Sequence, residues 1–531
     1  GAVIVDEQGR VVYAPLVDML NRAFGRNVPY GYQTFSSGIF EAWYYALFFV
    51  LPRKRRAKIY ISAGEYYTGV WSKNLFSPPG SPCCSQGLYL STYPINYGWG
   101  GVPKLGYDYD IYVFGDGEAT VIHLPVNDNP NLSTNVNLVL FAFQSPSPGH
   151  VVEVSHIKFV NDTATQAAAL GLSSWGAIGA VGYYNNVGGL MVLRDVHLVI
   201  DNGDVNLTFF LANGSFYVEN VITDIISVHS VTGPAPGLSL CCGTYGVARG
   251  IVVRDTSNTF LMWGLHTSNA QAEISGSLFA GSLAYALVVG SGSCCWGYAN
   301  VSSSALGSLL APASQSLSYA VSISRGKLSI SSSTFYMPYT VYDDASAGVE
   351  WHVAISGSYL ASLYLDLGSG ASRVDFDGDV IESPATLSLG DTNNYAVAFR
   401  NCTFTGYGTA YEPSGYYHAV LVETPGNVTP TLDLLFEGNL LLGAPQYLHL
   451  ATVYGSSGYA TVKLASVGNR INASQPVTYS PLYAILTTNV YLAEHDVVGH
   501  VASYVLGQEA GAWVSTVVSV GSVSGYDLPA V

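Results

Sequence analysis

Charge is what this sequence has least of. Asp, Glu, Lys and Arg make up 11% of its 531 residues, against roughly a quarter in ordinary globular proteins. Only 20 of them are Lys or Arg, and the formal net charge is −16, which argues against nucleic acid as a partner. So few charges also argue against a cytosolic enzyme and for a secreted or surface-assembled protein. Alternation of strands with long amphipathic helices is missing too, which excludes doubly wound and α/β-barrel folds. Long apolar runs are absent. The best, 40–51, is about twelve residues, contains Glu41 and ends at Pro52, too short to span a bilayer. No Gly-X-Ser-X-Gly elbow or phosphate-cradling glycine loop occurs. The chain begins at Gly1 rather than Met, which fits a processed mature form.

Cysteine is scarce but oddly placed. Six of the seven form adjacent pairs, Cys83–Cys84, Cys241–Cys242 and Cys294–Cys295, and Cys402 stands alone. Adjacent cysteines do not match a zinc pattern, in which intervening residues wrap the metal. Disulfides in an oxidising compartment are the better reading, and buried thiols the alternative. Eight Asn-X-Ser/Thr sequons, at Asn131, Asn161, Asn206, Asn213, Asn300, Asn401, Asn427 and Asn472, are candidate glycosylation sites of an extracellular protein, against chance occurrence in a Ser- and Thr-rich chain.

What is abundant is apolar residues (49%), glycine (57) and tyrosine (39). From about residue 138 they fall into one recurring pattern: VVEVSHIKFVND at 151–162, GSFYVENVITDI at 214–225, GKLSISSSTFY at 326–336, AVAFRNCTFTG at 396–406. Each alternates apolar and polar residues, turns at a small polar residue, then gives another apolar pair. A recurrence of roughly 20–30 residues matches one coil of a solenoid, in which inward side chains of successive coils stack into a continuous core. The expectation is an all-β fold, a parallel β-helix over 35–480. An apolar helix at 38–51 covers its open end, a Pro/Gly/Tyr-rich insertion occupies 71–107, an N-terminal hairpin lies in 1–34, and a strand-rich cap or assembly segment fills 481–531. The hairpin's edges have no partner in its own sequence, so a neighbouring subunit is a candidate to pair with them. Pro52 reads as the stop of the helix, and Arg53, Lys54, Arg55 and Arg56 behind it as a solvated turn that complements the helix dipole, or as a docking site for an acidic surface.

The run 59–66 (IYISAGEY), Gly115-Asp116-Gly117, Thr120-Val121-Ile122 and the coil pattern of 152–161 resemble the pectin-lyase-like right-handed β-helix superfamily. That resemblance implies the fold and leaves the activity open among polysaccharide lyases, glycoside hydrolases, tailspikes, adhesins and surface-layer proteins.

Enzymes of this kind need gathered carboxylates. The sharpest candidates are Asp375, Asp377 and Asp379, which alternation places on one strand face, where like charges demand a cation such as Ca²⁺ or raised pKa values. The bland reading is a solvated turn at Gly378-Asp379. Asp343-Asp344 lacks the accompanying motifs of the hydrolases. Asp108 and Asp110 read as loop solvation, Arg194-Asp195 and Arg254-Asp255 as ion pairs at coil edges, and Glu494-His495-Asp496 as a surface turn. The function expected is therefore a structural subunit of an extracellular or virion-borne filament, fibre, spike or surface layer that assembles with copies of itself. A polysaccharide-degrading enzyme, or an adhesin for cell-surface glycans, is the alternative.

Overall fold

The computed structural model describes residues 2–5, 11–12, 39–67, 90–92, 104–127, 139–184, 187–232, 235–292, 294–310, 312–409, 415–455, 460–473, 477–485, 489–498, 501–504, 508–510 and 516–520. The chain divides into two compact units, 1–283 and 284–531. Both are parallel β-helical solenoids, as the recurrent alternation predicts.

In the first unit the strands Arg56–Ile61, Asp110–His123, Val151–Asn161, Leu190–Val205 and Phe209–Val231 pair parallel, coil upon coil. The register carries Ile59 onto Val113, Val154, Leu193 and Val218, and all five are buried. The pleat turns alternate side chains to opposite faces, so one apolar position per coil becomes a continuous inward column. The second unit repeats the logic: Leu328, Val353, Val374, Val397, Leu434 and Leu464 stack in register. Beside them Phe376, Phe399 and Phe436 lie ring on ring, with centroids 4.9 and 5.2 Å apart.

The helix is longer and less uniform than its sequence suggests. An α-helical turn (Ile39–Tyr45) widens into a π-helix (Ala46–Val50) and returns to α over Leu51–Lys54. Pro52 does not stop it. Proline in a helix clashes with the carbonyl four residues back, and the wide turn, in which the Leu51 N–H reaches the Ala46 carbonyl, carries the chain past that point. The stop is Arg55, at φ 58. Ile39, Trp43, Leu47 and Leu51, four residues apart, form the buried stripe. Trp43 packs on Phe141 and Phe143 at 5.6 and 5.3 Å, so the helix lids the first coils. Tyr45 and Phe49 pack against each other with tilted rings, half-exposed, on the other side.

The N-terminal hairpin forms, Ala2–Val5 against Val11–Val12, and one of its edges is taken within the chain. Ala2–Val5 also runs antiparallel along Arg56–Ile61, covering an edge of the first coil that would otherwise invite aggregation. Within the 71–107 insertion, Leu90–Ser91 pairs parallel with Phe141–Ala142. Residue 480 falls inside the strand Val477–Ile485, which pairs parallel with Tyr447–Gly455. Parallel pairing continues beyond it, from Asn489–Val498 to Thr516–Val520.

Candidate functional site

Asp375 and Asp377 point outward from the strand Ala371–Asp377, as alternation requires. Asp379 does not join them. The strand ends at Asp377, Gly378 turns the chain at φ +67, and Asp379 swings inside to 1% exposure. The expected three-carboxylate face is therefore not formed. Among the described residues, no group of three or more His, Cys, Asp or Glu is placed to hold a metal ion. Asp375 accepts hydrogen bonds from His352 Nε2 (2.6 Å), Arg373 Nε (2.9 Å) and Arg400 Nη1 (3.2 Å). Burial raises its pKa, but the bonds from His352, Arg373 and Arg400 outweigh burial and hold it below the usual carboxylate range. The carboxylate thus ties neighbouring coils together.

Asp379 belongs to an internal polar ladder at one turn of each coil. The Ser304 N–H donates to Ser333 Oγ, Ser333 N–H to Ser358 Oγ, and Ser358 N–H to Asp379 Oδ1 at 2.8 Å. Cys402 occupies the next rung, and its N–H donates to Asn439 Oδ1, whose own N–H donates to Asn469 Oδ1. Every other member is neutral. Burial pushes the Asp379 carboxyl up to about 8, against the opposing N–H bonds from Ser358 and Asp377, so it sits in the ladder largely as a neutral acid.

The first unit carries two imidazole clamps that alternation did not reveal. His197 bonds Glu118 at Nδ1 (2.8 Å) and Asp224 at Nε2 (2.7 Å), and Arg254 adds a two-pronged contact to Asp224 at 2.7 and 2.9 Å. His123 lies between Asp162 (3.0 Å) and Glu65 (2.6 Å), with Tyr67 stacked on its ring. In both, burial disfavours the imidazolium, but the flanking carboxylates more than offset it and raise the pKa. Asp224 is correspondingly lowered to about 2: burial pulls it up, and His197 and Arg254 pull it further down. Partners come from coils 27 and 30 residues away, or more, so only the register brings them together.

The weaker candidates resolve into structure. Arg194 reaches Glu153 (3.3 Å) and the face of Tyr217, and Asp195 faces His156 (3.4 Å), so this is an ion-pair edge. Arg254 pairs with Asp224 rather than with Asp255, whose buried carboxylate accepts from Ser257 and Ser282. Asp343 accepts from Trp351 Nε1 and from the N–H groups of Ala345, Gly368 and Gly370 at 2.9–3.0 Å, pinning two loops. Asp110 accepts from the Val151 N–H and Asp108 from the Ser147 hydroxyl. Of the basic turn, Arg55 donates to the Leu105 carbonyl at 2.7 Å and Arg56 lies over Tyr112, while Arg53 and Lys54 are exposed in the last helical turn. The side chains of Glu494, His495 and Asp496 lie outside the described residues.

Two adjacent cysteine pairs are joined within themselves, Cys241–Cys242 and Cys294–Cys295, and Cys402 is a buried thiol. Cys83 and Cys84 lie outside the described residues, as does Asn131. The sequon at Asn161 is closed to an oligosaccharide: its side chain is buried, donating to the Asp204 carbonyl and accepting from Thr163. Asn206 and Asn213 are half-buried, and Asn300, Asn401, Asn427 and Asn472 are exposed.

Two concave strips lie on the outward strand face of the second unit. One, of about 830 Å³, is lined by Trp296, Tyr298, Arg325, Lys327, Glu350 and His352 among others. The other, of about 780 Å³, has a floor of Ala396, Ala398, Leu435 and Ala465 and a rim of Arg373, Asp375, Arg400, Asp433 and Lys463. Comparison with protein-family models, with curated proteins and with solved structures finds no match to this chain.

Proposed function

We infer that this chain is an extracellular structural subunit, of a cell-surface or virion filament, fibre, spike or layer, that associates with copies of itself on a right-handed β-helix of the pectin-lyase-like kind. One observation carries the reading. No charged residue and no histidine occurs between Glu273 and Arg325, and this stretch holds Leu309, Leu310 and Leu317 at 66%, 96% and 60% exposure. Interface cores are depleted of charge, and contiguous exposed apolar patches mark association sites. The joined cysteine pairs suit an oxidising compartment, and the four exposed sequons suit a glycoprotein. Arg53, exposed in the last helical turn, offers a further contact to an acidic neighbouring surface. Analytical ultracentrifugation over a concentration series, without reductant, is expected to show mass-action growth beyond the monomer; a single monomeric species at every concentration sinks the reading.

A second reading, glycan binding without cleavage, is favoured by the 830 Å³ strip. There Trp296 and Tyr298 lie 4.8 Å apart beside Arg325, Lys327, Glu350 and His352, a pairing of aromatic faces with hydrogen-bonding groups that suits a sugar chain. A glycan array is expected to show binding that Trp296→Ala removes, with no turnover of any bound polysaccharide; binding unchanged by that substitution contradicts it.

A further inference from the structure

The uncharged stretch ends in a built loop. Between the strands Ala305–Leu306 and Tyr319–Ile323, the buried Gln315 staples the loop's base. Its Nε2 donates to the carbonyls of Ser308 (2.9 Å) and Tyr336 (3.0 Å), and its Oε1 accepts the Ser308 N–H (3.0 Å). Those bonds satisfy the buried Gln315 side chain and tie the loop's base, while Leu309, Leu310 and Leu317 stand exposed on it as an apolar knob. A leucine at 96% exposure has gained nothing from folding.

The same unit holds a receptor of matching chemistry. The outward positions Ala398, Leu435 and Ala465 follow one another in register on adjacent strands and, with Ala396, floor the 780 Å³ cleft. The rim mixes signs, Arg373, Arg400 and Lys463 with Asp375 and Asp433, and its charges are partly spent on each other, Asp375 being held by Arg373 and Arg400. An uncharged occupant therefore suits the cleft better than an acidic or basic one. The chain does not fill its own cleft. The knob leaves the coil that contains Gly297–Ser302, and the cleft begins three rungs further on, at Ala371–Asp377, about 15 Å along the stack.

We propose that the Leu309–Leu310–Leu317 knob of one copy seats in the Ala396–Ala398–Leu435–Ala465 cleft of a second copy. Knob and cleft are different surfaces, so the contact is heterologous, leaves a free knob and a free cleft at the two ends, and propagates a string of subunits. This rests on the assembly reading above and names its contact.

The test uses two full-length variants, Leu310→Asp to spoil the knob and Ala396→Trp to fill the cleft from its outward side, each checked by melting temperature. If Ala396→Trp lowers the melting temperature, Ala465→Arg takes its place. By size exclusion with light scattering, wild type is expected to form strings, and each variant alone to run as a monomer. An equimolar mixture of the two is expected to form dimers and nothing larger, because it retains one intact knob and one intact cleft. Strings formed by Leu310→Asp, or a mixture that stays monomeric, overturn the knob-and-cleft contact and leave assembly through another face standing. A wild type that never exceeds the monomer overturns both.

Discussion

Asp379 shows how one residue's chemistry is set by its rung. Its ladder neighbours are serines, a cysteine and asparagines, and it alone titrates as an acid near neutral pH, at about 8 against an ordinary 3.8. With the folded value above the unfolded one, the folded chain keeps a proton that the unfolded chain releases. Its contribution to stability is therefore complete below pH 3.8, declines as pH rises and levels off above about 8. Asp379→Asn, which copies Asn439 and Asn469, is expected to flatten that slope and to raise the denaturation midpoint at alkaline pH. Urea titrations of both proteins on either side of this window measure it, and an unchanged slope in the variant refutes the assignment. The sequence made Asp375, Asp377 and Asp379 look alike because alternation was counted past the strand's end. Gly378 at φ +67 breaks the count at the turn the sequence offered there, but Asp379 is buried in that turn rather than solvated, and burial depends on the coils above and below. The His123 and His197 clamps were hidden for the complementary reason: their carboxylates lie in other coils, and pairing them requires the register.

At the scale of elements, the phenylalanine stack and the N-terminal hairpin make separate demands. Phe399 is fully buried between Phe376 and Phe436, so Phe399→Ala removes the middle of a three-ring column. It is expected to cost about 3–5 kcal/mol of stability, read as a lowered denaturant midpoint; a loss below about 1 kcal/mol would mean the column collapses to fill the gap. Deleting residues 1–12 in the Leu310→Asp background uncovers the Arg56–Ile61 edge and is expected to give time-dependent light scattering where Leu310→Asp alone stays clear. A deletion that stays clear shows that the hairpin does not guard that edge. The helix was legible as an element, since Ile39, Trp43, Leu47 and Leu51 repeat every four residues, but its end was not. Pro52 is a reliable stop only where the preceding turn is regular α, and here a π turn precedes it.

At the scale of the molecule, the coil architecture was readable because each coil repeats the same demand, alternating apolar positions followed by a small polar turn, and any single coil confirms the others. Function was less readable, because a solenoid's outer face is chosen position by position and only the folded register says which positions meet. The uncharged stretch between Glu273 and Arg325 was present in the sequence, but only the fold shows that Leu309, Leu310 and Leu317 stand exposed outside the coil. On the reading proposed above, this β-helix is a building block. Electron microscopy of the purified protein, kept under oxidising conditions, tests it most directly. Particles joined through a repeated contact, lost in Leu310→Asp, are the predicted image; a field of separate single subunits across the concentration range contradicts the claim.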